Sequence, residues 1–207
     1  MRQHGFTIIE LMVGLVISSL CMIMMLMLFK QTTQIGLASS KDGEYSAQTQ
    51  TAHLVIQKLV QRAGYGSGQS DDIKIATYLR NPAIFWRFIP EVDASPISYQ
   101  CEGVAEIVDD LGHVKSHSLV LLRKSCGSEQ EWQIGDWKET QVIVNIHNQT
   151  TSPIFSYDLS ESACTPYGID MHHDSALKKI TIYAQREHLD QHLKSTVCLN
   201  NIVTSEG

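Results

Sequence analysis

The residue that most invites a chemical reading is Glu10. It is the one charge in an otherwise apolar run from Phe6 to Phe29. A carboxylate at the centre of a lipid-spanning helix costs roughly 2.5–3.5 kcal/mol, and less near the interface. Two roles could justify it. Close to a helix N-terminus, it meets the positive end of the helix dipole. Alternatively, it pairs with a positive charge from a neighbouring chain. Either charge alone in an apolar bundle is costly, while pairing recovers much of that cost and sets a stagger between chains. Only the pairing role predicts a register defect in Glu10→Ala.

The other candidates point towards metal or nucleophilic chemistry, and each falls short on spacing. There are nine histidines. His172-His173-Asp174 is one dense group, and His188 with His192 is the other. The second spacing puts two imidazoles on one face of a helix, but no glutamate follows the first histidine, as a zinc-protease helix requires. The stretch also reads as a hairpin turn. These are taken as surface histidines, and neither a metal site nor a cofactor is expected. Asp71-Asp72 and Asp109-Asp110 offer hard oxygen ligands, but the EF-hand spacing is absent and calcium binding stays open. Neither GxSxG nor a Cys/His nucleophile context occurs, so the chain does not read as an enzyme. The cluster Gly64-Tyr65-Gly66-Ser67-Gly68 follows a helix and lacks GK[ST], which excludes a phosphate loop.

Of the five cysteines, Cys21 lies in the apolar run. Cys101, Cys126, Cys164 and Cys198 lie in the polar remainder. Their spacing contains no CxxC, which argues against a zinc ribbon or a redox motif. Four cysteines beyond a membrane segment suggest an oxidising compartment and up to two disulfides. Three pairings are possible. Cys101–Cys126 and Cys164–Cys198 each close a local loop and are the pairs expected; buried free thiols are the alternative.

These residues need elements to position them. The chain has 207 residues and a formal net charge of −6. Such an acidic balance argues against a general nucleic-acid binder, though a local basic patch remains open. The Phe6–Phe29 run is 24 residues long. As a helix it rises about 36 Å, enough to cross a hydrocarbon core of about 30 Å. Arg2 and the amino terminus precede it, so by the positive-inside tendency the start stays cytoplasmic and the rest lies outside. Lys30 weakens that contrast. No small-residue cleavage site ends the apolar core, as an ordinary secretory signal needs. Cys21 follows Leu20 and more apolar sequence follows Cys21, which disfavours a lipoprotein signal.

Beyond the membrane the helix is expected to continue. Ala52, Val55, Ile56, Leu59, Val60 and Ala63 follow the 3.6-residue period. Gly36 and Gly43 lower helicity between the halves. The glycine cluster from Gly64 is a stop signal. After residue 70 the pattern changes to short strands near 84–89, 97–101, 118–123, 141–146, 154–157, 179–185 and 194–199. The organisation expected is residues 1–5 as a leader, 6–29 as a transmembrane helix, 30–63 as its amphipathic continuation, and 64–207 as a β-rich globular domain. The fold class is α+β, with the long N-terminal helix packed on an antiparallel β-sheet. Loops at 66–82, 109–117, 124–139 and 158–177 are the places for specific function. Trp86, Trp132 and Trp137 lie near them and read as packing residues.

Gly5-Phe6-Thr7-Ile8-Ile9-Glu10-Leu11 resembles the class III prepilin signal of type IV pilin-like proteins. The resemblance implies cleavage between Gly5 and Phe6 by a membrane prepilin peptidase. It also implies N-methylation of Phe6 and Glu10 as the fifth mature residue. The amine freed at Phe6 has a pKa near 8, which makes it the natural partner for Glu10 of the next chain. A second resemblance is narrower. Leu59-Val-Gln-Arg62-Ala-Gly-Tyr65-Gly66 and Lys194-Ser-Thr-Val-Cys-Leu-Asn200-Asn201 are similar to stretches of PilW-like minor pilins, although Asn200 stands where that family often has arginine. This implies a minor pilin that primes fibre assembly in a tip complex, with other minor pilins and the major pilin as partners. The place implied is the inner membrane, single pass, with the globular part periplasmic, and then the fibre or its tip. The alternatives are a J-like pseudopilin of a type II secretion system and a tip adhesin or DNA-capturing pilin.

Overall fold

A computed structural model describes residues 7–110, 115–129, 131–148, 152–162, 164, 177–185 and 192–203. Two compact units make up the chain, Met1–Glu44 and Tyr45–Gly207. Helix α1 runs Ile8–Val60. In the first unit every described residue is exposed, including the whole apolar stretch to Phe29. Gly36 and Gly43 do not interrupt the helix, so their propensity cost of about 1 kcal/mol each is outweighed by continuous backbone hydrogen bonding.

Among the described residues the second unit holds the end of α1 and eight strands. They are β1 (Ile73–Tyr78), β2 (Asn81–Phe88), β3 (Tyr99–Asp110), β4 (Lys115–Cys126), β5 (Lys138–Asn148), β6 (Phe155–Glu161), β7 (Leu177–Gln185) and β8 (His192–Val203). They form two antiparallel sheets rather than the single sheet expected: β1-β2-β3-β4-β5 and β6-β7-β8. Tyr45, Ala52, Ile56 and Val60 on α1 pack against both sheets, meeting Trp86, Val104 and Leu121 of one and Ile180, Ile182 and Leu199 of the other. The buried stripe therefore begins at Tyr45, earlier than the Ala52 expected, because Tyr45 reaches the Gln185 carbonyl with its hydroxyl at 2.9 Å.

The central strands of the five-stranded sheet are buried on both faces. Ala83, Phe85, Ala105, Val120 and Leu122 form a second core with Trp132, and Trp137 packs at its edge. This explains the unbroken apolar run Leu119-Val-Leu-Leu, since a strand covered on both sides has no polar face. The segment after β4 is a cover for this outer face rather than a free loop. Trp137 lies 4.7 Å from Phe85, centroid to centroid. Tyr78 on β1 donates to Glu139 on β5 at 3.3 Å, so the two edges of the sheet approach across that face. Gly103 makes the packing possible, because a Cβ there would fall 2.5 Å from the Phe85 ring.

Strand β1 occupies much of the segment expected as a loop at 66–82. Its hairpin with β2 turns through Leu79 and Arg80, with φ of 47° and 73°, and the register pairs Tyr78 with Asn81. A two-residue turn of this hand favours Asn-Gly, and Leu-Arg carries no such signal. Side chains in the left-handed region cost of order 1 kcal/mol or more each. Replacing Leu79-Arg80 by Asn-Gly is therefore expected to stabilise the protein by about 1–2 kcal/mol, read as a rise in thermal midpoint. An unchanged or lower midpoint would contradict this account of the turn.

Where α1 meets β8, His53 is buried. Its Nε2 lies 2.5 Å from Ser195 Oγ, which also receives the Gln57 amide. Its Nδ1 makes no hydrogen bond, and burial lowers its pKa. The folded state thus holds the ring neutral, while the unfolded chain protonates near 6.5. The stabilisation is complete above that value and is lost as pH falls below it towards the lowered folded value. The thermal midpoint should drop between pH 7.5 and 5.5, and His53→Gln should flatten that slope. An equal slope in the variant would assign the titration to other groups.

Candidate functional site

The N-terminal site is organised around the start of α1. Thr7 precedes the first helical residue, and Glu10 lies three positions on. The Glu10 amide donates to Thr7 Oγ1 at 3.4 Å. In return Glu10 Oε2 accepts from the Thr7 amide and hydroxyl, both at 3.1 Å. This is a reciprocal capping box, two free amides satisfied by one threonine and one glutamate. The Thr-x-x-Glu spacing was visible in the sequence, and Thr7 is the residue that the sequence reading missed. The cap uses one carboxylate oxygen. A carboxylate offers about four acceptor positions, so Oε1 can still receive a charged donor. Gly5 and Phe6 lie outside the described residues.

Beyond the cap, α1 carries a segment long and apolar enough to cross a membrane. A Cβ on Gly14 would meet nothing within 4 Å, so that face is open to the close approach of another helix. Ser19 satisfies its hydroxyl on the Val16 carbonyl at 2.8 Å, a local bond that needs no partner chain. Met22, Met24, Met25 and Met27 are exposed apolar side chains, as is the free thiol of Cys21.

In the second unit Cys101 and Cys126 are bonded with a Cα separation of 5.9 Å, linking the first residues of β3 to the end of β4. Cys164 and Cys198 form the second bridge. The stretches Arg62–Gly66 and Lys194–Asn201 converge in space. Asn201 donates its amide to the Gln61 carbonyl at 2.8 Å. Gly64, at φ 72°, ends the helix against β8, and a Cβ there would fall 2.6 Å from Ile202 Cγ1. Its own amide turns away from the helix to the Arg87 carbonyl at 3.0 Å. The last strand thus locks onto the helix end at a position that tolerates only glycine.

Among the described residues no cluster of three His, Cys, Asp or Glu side chains occurs, and the side chain of Asp110 lies outside them. Asp72 is buried and engaged by Arg87 at 2.5 Å, and Asp71 meets the same guanidinium at 3.4 Å. Arg87 also donates to Gln69 and to the carbonyls of Gly127 and Glu129. Its guanidinium lies over Tyr99 and Trp132 at 5.2 and 5.6 Å. It is a structural hub joining β2 to two loops. The signal was an arginine inside the apolar run Ile84–Ile89. His172, His173, Asp174 and His188 lie outside the described residues, as does the side chain of His192.

A family model described as the prokaryotic N-terminal methylation motif matches residues 1–26. That motif supports reading this chain as a type IV pilin-type or pseudopilin protein, a structural protein anchored through a single N-terminal helix. The long helix and antiparallel sheets observed here agree with a pilin-like α+β fold. No curated protein and no solved structure matches the chain.

Proposed function

We propose that the chain is a minor pilin that helps prime assembly of a type IV fibre within an initiation or tip complex. The observation that carries this is the methylation motif at residues 1–26, set on a capped, exposed apolar helix. On this reading a prepilin peptidase removes residues 1–5, and Phe6 becomes the methylated terminus. Residues 6–29 anchor the subunit in the inner membrane, and residues 64–207 lie on the periplasmic side until assembly. Glu10 then offers Oε1 to the Phe6 amine of the adjacent subunit. The convergence of Arg62–Gly66 with the last strand supports the PilW-like resemblance, because the two similar stretches form one structural junction. Partners are other minor pilins and the major pilin.

The test is mass spectrometry of the chain from a host that carries the peptidase. The expected result is loss of residues 1–5 and a methyl group on Phe6, and an intact leader overturns the reading. Deletion of the gene should then lower fibre number while the level of major pilin is unchanged. Fibres in normal number with secretion lost would move the assignment to a J-like pseudopilin. Fibres in normal number with adhesion or DNA uptake lost would move it to a tip binder.

A further inference from the structure

One basic cleft stands apart in this acidic chain. It lies in the second unit, at the end of the five-stranded sheet beside the end of α1, and encloses about 810 Å³. Among the described residues its charged lining is Arg62, Arg123, Lys124 and Lys138 against Glu102 and Asp136. Four cations against two carboxylates reverse the sign of the chain as a whole, which is −6.

The arrangement is held from below. Glu102 is buried, with 3% of its side chain accessible, and accepts from Arg123 Nε at 2.9 Å. Its second oxygen makes no hydrogen bond and faces Arg62 at 3.5 Å. So Glu102 orients two guanidinium groups while consuming few of their ten N–H donors. Arg62 and Arg123 remain 51% and 53% accessible. Lys138 has no partner among the described residues. Lys124, by contrast, is committed to the Ile134 carbonyl and the Trp137 ring.

We infer that this cleft receives an acidic segment of a neighbouring subunit, with Arg62, Arg123 and Lys138 binding its carboxylates. The proposal rests on the assembly reading above. The paired planar forks suit bidentate contacts to carboxylate or phosphate oxygens, and a protein partner supplies the carboxylate. A protein source follows from exposure. Small-molecule sites bury most of their ligand, whereas these heads stand half in solvent and suit a side chain presented from a partner surface. Arginine is also the charged residue that most often anchors such interfaces.

The experiment places a photo-crosslinking amino acid at Thr140, on the cleft wall, in the full chain expressed in its host. Cross-linked peptides are identified by mass spectrometry. The expected product joins Thr140 to an acidic stretch of another pilin subunit. Lys138→Glu, which leaves Glu102 and its arginines untouched, should lower the yield about tenfold. Reversing the cross-linked acidic residue to lysine should restore it in that variant. Arg123→Glu should act in the same direction, and Arg80→Glu, outside the cleft lining, should not. Cross-links only to lipid or nucleic acid, to a non-acidic surface, or to nothing overturn the inference, as does a yield unaffected by Lys138→Glu. Processing at Phe6 is read on the same samples. A processed chain without the cross-link sinks this proposal alone, while an unprocessed chain sinks the assembly reading.

Discussion

Glu10→Gln is expected to leave the chain processed and membrane-inserted but to lower its recovery in sheared fibres by at least about tenfold. The reasoning separates two functions of one side chain. Glu10 Oε2 closes the capping box with Thr7, and a cap of this kind is worth about 0.5–2 kcal/mol. The glutamine amide oxygen can still accept from Thr7, so the cap largely survives. What is lost is the negative charge. If that charge neutralises a neighbour's Phe6 amine inside an apolar bundle, its removal leaves a buried cation uncompensated, at a cost of about 3–5 kcal/mol. Thr7→Val makes the opposite cut, removing the capping hydroxyl and keeping the charge. Its recovery in fibres should stay near the parent. Immunoblots of fibre and membrane fractions, with mass spectrometry of the N-terminus, read both effects. Equal recovery of Glu10→Gln and parent would reduce Glu10 to a helix cap.

Glu106→Ala is expected to destabilise the second unit by about 3–5 kcal/mol, a large share of a typical domain's total. Glu106 is buried on β3. Its carboxylate accepts the Ile154 amide at 2.9 Å and the Phe155 amide at 3.0 Å, which begin the second sheet. His117 Nδ1 meets it at 2.5 Å, itself buried. One side chain on the five-stranded sheet therefore ties down the first strand of the other. Removing it leaves two buried backbone donors without their acceptor and takes the carboxylate away from His117 Nδ1, and each unsatisfied group costs about 1–3 kcal/mol. Glu106→Gln keeps an acceptor oxygen but brings two donors to a site already full of donors, so a smaller loss of about 1–3 kcal/mol is expected. Chemical denaturation of the solubilised full chain measures both. Pairing Glu106→Ala with His117→Ala should be strongly non-additive, as side chains in one network are. A loss below about 1 kcal/mol for Glu106→Ala would show that the sheets hold together without this carboxylate. The same charge, together with burial as the larger cause, pushes the nearby Tyr157 phenol upward.

Legibility of the fold varied with how local its cause was. Helix α1 was readable because its apolar run and its 3.6-residue stripe are properties of neighbouring residues. Its stop near Gly64 was readable too, since the glycine is required by a backbone at φ 72°. Strands β2 to β8 were found in part, each shorter than its full extent; most of the missed ends are polar and look like turns until a partner strand satisfies them, whereas in β3 the buried Glu102 and Glu106 break up an otherwise apolar stretch. Strand β1 was missed because its turn uses Leu79 and Arg80 rather than residues with a turn signature.

The acidic pair Asp71-Asp72 shows the same limit at a site. Two adjacent carboxylates suggest a cation ligand, and they do bind a cation, but it is the guanidinium of Arg87 from a strand away. Trp132 and Trp137 are packing residues, as the sequence suggests, yet no local pattern shows that they close a second core on the outer face of a sheet.

The amino-acid sequence by itself determined the N-terminal site. Thr7 and Glu10 form a helix cap through their order along the chain, and on the proposed reading a peptidase and a membrane read the order of Gly5, Phe6 and the apolar run in the same direct way. The tertiary structure alone decided the rest. The division into two sheets, the Glu106 tie between them and the basic cleft around Glu102 depend on residues far apart in sequence. Arg62 and Arg123 meet Glu102 because the end of a helix and two strands are packed side by side, and no local pattern encodes that meeting.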